Sequence, residues 1–182
     1  MENSKCKEKP IIFNTEMGRA ILDGRKTQTR LVVKNEHFAE EFCDKCKSDK
    51  CKYSICLRTS PYKIGDILWV RETWSCGYVG GAWGYVYKAS EQKPYYTEKW
   101  KSPVFMPKEA CRIWLRVKDV RVERLQDISV ENTEKEGIPF EEILPRIDFK
   151  HLWNSINKKP GTKWADNPFC WVIEFERIER NV

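Results

Sequence analysis

The sequence predicts an α+β domain: a small mixed β-barrel with short helices packed at its ends, carrying a cysteine-rich insertion. Three observations predict it. Strand-sized apolar runs follow one another without the helical crossovers of about 10–15 residues that a doubly wound parallel sheet needs. Helical periodicity is confined to three short segments. The chain of 182 residues is 41% apolar and 33% charged, which suits one globular core and not a disordered chain.

The elements follow in chain order. Residues 1–9 are polar and charged and are expected to form a loose tail. Asn14 or Thr15 caps a helix whose apolar face is Met17, Ala20 and Ile21, and Gly24 stops it. The β-branched run 25–33 starts a strand directly afterwards. Residues 36–60 break the pattern with lysines and cysteines and read as an insertion. A turn at 62–66 leads to a strand at 67–73, and another strand is expected at 85–89. Residues 90–109 read as a long loop. Over 112–125 the pattern gives one long bent strand or two. Ile113, Leu115 and Val117 share one face, then Val120 and Val122 take over, which places a bulge near Lys118-Asp119. Ser129 caps a short helix that Gly137 ends. Phe149, Leu152, Trp153 and Ile156 form the stripe of a helix at 148–157, read as core packing. Trp171, Ile173 and Phe175 alternate with Glu174 and Glu176 in a final strand at 170–178. The total is five or six strands in a single domain over 10–180. Trp69 and Trp74 read as core residues of strands.

Composition narrows the function. No apolar run approaches the ~20 residues of a membrane span, and the opening MENSKCKEKP has no apolar core of a secretory signal. A cytoplasmic, reducing compartment is therefore expected, with no membrane partner. Lys+Arg exceed Asp+Glu to give a net charge of +6, which permits a nucleic-acid partner. Aromatics reach 13%, including 8 Trp, suited to a large core or to stacking surfaces.

Eight cysteines are present, and four of them cluster. Cys43, Cys46, Cys51 and Cys56 stand as Cys-x2-Cys-x4-Cys-x4-Cys, the spacing of a zinc knuckle with Cys51 in place of its His. Four thiolates suit tetrahedral Zn2+, so a structural zinc is expected, against the alternative of an unliganded reduced loop. Lys45, Lys47, Lys50 and Lys52 make the loop basic, and Tyr53 offers a stacking face to single-stranded nucleic acid. His37 reads as a surface residue. Cys6, Cys76, Cys111 and Cys170 read as tail or small buried residues.

The run Gly24-Arg25-Lys26-Thr27-Gln28-Thr29-Arg30 sets hydroxyls and cations at a helix-to-strand junction. A partly desolvated lysine gives up its proton and acts as a base. A threonine hydroxyl needs such a base before it attacks a carbonyl, and a carboxylate is then needed for the leaving group. Read from these residues alone, a solvated β-edge explains the run as well. Lys26 and Thr29 are expected outside the core, with a bend after Gly24.

Five segments together resemble ASCH-domain proteins of the phage and prophage type. They are Pro10-Ile11-Ile12-Phe13, residues 21–30, residues 61–74, Arg112-Ile113-Trp114-Leu115-Arg116-Val117, and Trp171-Val172-Ile173-Glu174-Phe175. Most specific are Gly-Arg-Lys-Thr-x-Thr-Arg and the later Gly65-Asp66-Ile67-Leu68-Trp69-Val70. The resemblance covers residues 10–179 apart from the insertion; in the much shorter amidohydrolase branch the loop 77–107 has no counterpart. It implies a PUA-like fold, a small barrel whose cleft binds a nucleobase or nucleoside in RNA, in single-stranded nucleic acid or as a modified nucleotide. Similarity to bacterial N4-acetylcytidine amidohydrolases implies a triad: Lys26 as proton acceptor, Thr29 as nucleophile and Glu136 as proton donor. Arg25, Arg30, Arg71 and Glu72 are then candidate ligand-binding groups. Binding module and hydrolase both stay open. A metal-free ribonuclease commonly uses a histidine pair, and here only His37 and His151 exist.

Overall fold

The computed structural model describes residues 7–33, 59–91, 94–139 and 144–180. The four clustered cysteines, their lysines and His37 lie outside the described residues. Strand β1 (Glu8–Ile12) leads to helix α1 (Thr15–Leu22), and β2 (Gln28–Val32) follows. Next come β3 (Ile67–Arg71), β4 (Trp74–Val79), β5 (Ala82–Tyr87) and the two-residue β6 (Tyr96–Thr97). The long β7 (Trp114–Arg124) precedes helices α2 (Val130–Lys135) and α3 (Pro145–Ile156), and β8 (Phe169–Ile178) completes the fold.

The expected α+β class is what the strands and helices build. A five-stranded sheet runs β1-β3-β7-β8-β2, and a three-stranded sheet runs β5-β4-β6. Among the described residues only β1 and β3 pair in parallel; the other pairs are antiparallel. No ladder joins the edge strands β1 and β2 among the described residues. The large sheet nevertheless curls enough that both line one cavity.

Local signals set most elements. The Asn14 side chain accepts from Met17 N, and the chain turns out of α1 through Gly24 at φ +76°. Ser129 caps α2 by accepting from Asn132 N, and Gly137 leaves it at φ +97°. The β7 register shifts between Val117 and Asp119, where the change of apolar face predicts a bulge. Strand β1 begins at Glu8, inside the stretch expected as a loose tail. Parallel pairing with β3, from Glu8↔Ile67 to Ile12↔Arg71, captures it. The expected strand 67–73 is β3 followed at once by β4, and the expected strand 85–89 lies earlier, as β5. The loop 90–109 holds β6 and two 3-10 turns.

The main core joins Ile11, Phe13, Ile21, Leu68, Leu115 and Ile173 between α1 and the large sheet. A second core, Leu125, Ile128, Ile138, Phe149, Trp153 and Cys170, sits beneath α2 and α3. Each such buried aliphatic or aromatic side chain contributes about 1.5–3 kcal/mol. Trp74 anchors a third core with Met106 and Trp114. Trp69 is half-buried on β3. No helix among the described residues is long and apolar enough to cross a membrane.

Candidate functional site

Strand β2 is an edge, and its register with β8 decides what it offers. Phe175 N donates to Thr27 O, and Val33 N donates to Phe169 O. The Thr27 C=O and the Val33 N–H thus turn toward β8, and Thr29 and Leu31 between them follow the same alternation. By alternation, the N–H and C=O of Arg30 and Val32 point away from β8, to an edge that no strand among the described residues pairs with. Both residues line a cavity of about 750 Å³, together with Thr29 and Leu31 of the same strand. The facing walls come from the end of β1, the start of α1 and the stripe of α3. All four stripe residues of α3 line the cavity, so the stripe expected only to pack the core also walls a site.

Glu136 also lines this cavity, brought in by two local devices. Thr27 N donates to Lys135 O, pinning the end of α2 to the start of β2 at 2.9 Å. Gly137 then allows close approach: a Cβ there would stand 3.0 Å from Ala20 Cβ and 3.2 Å from Lys26 Cβ. The Lys26 ammonium, bent back after Gly24 as the sequence expects, meets three acceptors. These are Gln28 O at 2.7 Å, Glu136 O at 2.8 Å and Glu136 Oε2 at 3.0 Å. Its three donors are all used, as suits the charged form. The other carboxylate oxygen accepts from Arg30 Nη1 at 2.9 Å.

The expectation that Lys26 and Thr29 lie outside the core is overturned. They are 2% and 5% exposed, and Glu136 is 4% exposed. The reason is cover: α2 and Gly137 pack directly on the junction that the sequence reads as a barrel mouth. Burial depresses the Lys26 pKa below its ordinary value; Glu136 opposes the shift and the nearby Arg30 charge adds to it. Thr29 shares the cavity wall with Glu136, but its hydroxyl makes no hydrogen bond to Lys26 among the described residues.

A network continues behind Arg30. Its Nη2 donates to Glu123 Oε2 at 2.8 Å, and Arg121 joins Glu123, Glu174 and Gln28. Burial alone would raise the Glu123 carboxyl, but the Arg121 hydrogen bond and the Arg30 charge outweigh it and hold the pKa low. Beside them, burial pushes the Cys170 thiol up to about 12, so it is an inert core residue. Sequence reasoning missed Glu123, Arg121 and Gln28. The available signal was parity: Gln28 shares a strand face with Arg30.

The other candidates stand apart from the cavity wall. Arg25 is on the surface and donates to Gly137 O and Asp23. Arg71 lies 5.4 Å over the Trp69 ring. Glu72 is fully buried in a two-pronged pair with Arg112, both contacts 2.9 Å, and Arg112 also reaches Ser90. That pair clamps the start of β4 to the end of the loop before β7. His151 is exposed on α3.

No family model and no curated protein matches the sequence. Among solved structures, the fold is similar to an ASCH domain from Lactobacillus crispatus JV V101. The identity is 9% and the TM-score 0.48, over 94% of this chain and 79% of that one. It is also similar to a DUF984 protein from Enterococcus faecalis V583, at 10% identity and TM-score 0.47, over 99% of this chain and 88% of that one. Neither likeness assigns a role to any residue.

Proposed function

We propose that the cavity binds a nucleobase, presented in RNA, in single-stranded nucleic acid or as a modified nucleoside, in keeping with the ASCH resemblance of the sequence. The observation that carries this reading is a cavity lined by Phe13, Trp153, Trp171 and aliphatic side chains that also takes in Thr29 and the bonded pair Arg30 and Glu136. A base has a flat apolar face and a polar edge, and such a wall matches both. The free edge of β2 adds the Arg30 N–H and C=O, a donor beside an acceptor, as a base edge also presents. Calorimetric titration with cytidine and N4-acetylcytidine tests the reading. Wild-type protein binds at least one, and Arg30→Ala weakens binding at least tenfold. Undetectable binding of both by wild type would refute it.

A second reading, hydrolysis of an N4-acylated cytidine, is favoured by the Lys26–Glu136 contact. Thr29 Oγ1 attacks the acyl carbon while its proton passes to neutral Lys26. Glu136 gives the departing N4 amine the proton that it took from Lys26 across their contact, and water then releases the acyl group from Thr29. The step requires Lys26 to exchange one of its three acceptors for the Thr29 hydroxyl. Release of acetate from N4-acetylcytidine tests it, and no turnover would leave the binding module. We further propose a structural zinc on Cys43, Cys46, Cys51 and Cys56, supported by their spacing.

A further inference from the structure

The cavity lining has a second polar feature besides Arg30 and Glu136. Leaving α3, the chain carries Asn157, Lys158, Lys159 and Thr162 into the lining. Both lysines are exposed, and no carboxylate pairs with either among the described residues. Elsewhere on the wall, charge is matched: Glu136 is committed to Lys26 and Arg30. Glu136 is also the one carboxylate among the described lining residues, against Arg30, Lys158 and Lys159. The wall therefore carries a surplus of positive charge, and that surplus sits at these lysines.

The segment is held in place. Trp153 Nε1 donates to Thr162 O at 2.8 Å. Lys159 O accepts from Thr162 N at 3.2 Å and from Thr162 Oγ1 at 2.8 Å. Asn157 N donates to Trp153 O at 2.8 Å, which closes the end of α3. The lysine backbones thus start from a fixed turn beside the cavity.

We infer that the ligand of this cavity carries a phosphate, held by Lys158 and Lys159: a nucleotide, not a free nucleoside. The inference rests on the base-binding reading above and adds to it the class of ligand. A neutral nucleoside leaves both exposed ammonium groups to water alone. A phosphate supplies charge-assisted acceptors for both. Exposed contacts of this kind are individually modest and screened by salt, so the two together give about a tenfold preference at low ionic strength.

The test is calorimetric titration at low and high salt. Probes are cytidine, cytidine 5′-monophosphate, N4-acetylcytidine, its 5′-monophosphate and a short cytidine-containing RNA. Wild type is compared with the double variant Lys158→Gln/Lys159→Gln, whose folding is checked by its thermal melt. The expected result is a roughly tenfold tighter Kd for phosphate-bearing ligands in wild type, lost in the variant and at high salt, with nucleoside affinity unchanged. A gain for the mononucleotides identifies the 5′-phosphate as the group held. A gain for the RNA alone identifies a strand phosphate. Nucleosides and phosphate-bearing ligands binding wild type equally, or a variant that keeps the preference, would overturn this inference and leave base binding intact. Wild type that binds none of the probes would overturn both.

Discussion

Replacing Lys26 by Met measures what the buried cluster does for the fold. Methionine keeps the apolar stem and removes the ammonium. Three contacts go: those to Gln28 O, Glu136 O and Glu136 Oε2. Removing one partner of a buried ion pair costs about 3–5 kcal/mol. Glu136 keeps Arg30 at 2.9 Å, which sets the pair's loss at the lower end. The stranded Gln28 carbonyl adds about 1 kcal/mol. The expected loss of about 3–4 kcal/mol is a large share of the ~5–15 kcal/mol that holds a domain of this size. Urea unfolding followed by tryptophan fluorescence reads it. A loss under about 1 kcal/mol would refute the view of Lys26 as a clamp.

The same pair of proteins reports the state of the amine. Burial holds the folded pKa of Lys26 below the ordinary 10.5. Between the folded and unfolded values, the unfolded chain binds the proton and the folded chain does not. Stability then rises with pH across that window. Tyr62 and Tyr87, both pushed up to about 12 by burial, act oppositely in alkali but equally in both proteins. The difference in stability between wild type and Lys26→Met should therefore widen as pH climbs toward 10.5. A flat or narrowing difference would show that Glu136 outweighs burial.

Thr29→Ala should change stability by less than about 1 kcal/mol, because the hydroxyl bonds to no described group, yet abolish release of acetate from N4-acetylcytidine. Full activity in that variant would point to attack by water. Arg112→Ala strands the buried Glu72 and should lower stability by about 3–5 kcal/mol in urea unfolding, while the cavity's ligand affinity, measured where the protein is folded, stays within twofold. Elemental analysis of protein expressed with ample metal should find about one zinc per chain, lost in Cys43→Ser without loss of the sheet signal in circular dichroism. No zinc after that metal-replete expression, with all four thiols titrating freely, would remove the zinc proposal.

What was legible in the sequence was local. Asn14 and Gly24 delimit α1, Ser129 and Gly137 delimit α2, and alternation marks β7 and β8. What was not legible depends on contacts across the chain. Glu8-Lys9 has no strand signal of its own and becomes β1 only because β3, some 59 residues on, pairs with it. The candidate site divides the same way. Lys26 and Thr29 lie in a recognisable run, but Lys26 and Glu136 are 110 residues apart, and no periodicity reports that they touch. Their burial was misread because Gly137, which looks like an ordinary helix stop, is also what lets α2 descend onto Lys26. Glu72 and Arg71 looked like ligand groups beside a strand end, and the partner that makes Glu72 structural, Arg112, is 40 residues away.

The bulge in β7 joins the two kinds of information. Before it, Val117 faces Phe175; after it, Asp119 faces Glu174, so Lys118 is the extra residue. The shift changes parity: Leu115 and Val117 point to the core, and beyond it so do Val120 and Val122. The sequence displays this as a skipped beat in the apolar pattern. Its consequence is on the other face. There Arg121 and Glu123, opposite Val172 and Cys170, come level with Arg30 and Val32 of β2 and form the ion network behind the cavity. Deleting Lys118 takes out the extra residue alone: Val117 then runs straight into Asp119, still opposite Glu174, and plain alternation keeps Val120 and Val122 toward the core. Arg121 and Glu123 stay level with Arg30, which keeps both Glu123 and Glu136. Inserting one alanine after Lys118 does the opposite: with the one-residue bulge kept, every later β7 side chain turns over. Arg121 and Glu123 then enter the main core, and Arg30 keeps only Glu136. Two buried charges without their partners exceed what the domain's stability can offset. The insertion should therefore abolish the cooperative melt, whereas the Lys118 deletion and Lys118→Ala should both keep it. An insertion variant that melts like wild type would show that the bulge does not fix the register of β7, and that Arg30 reaches its partners by another route.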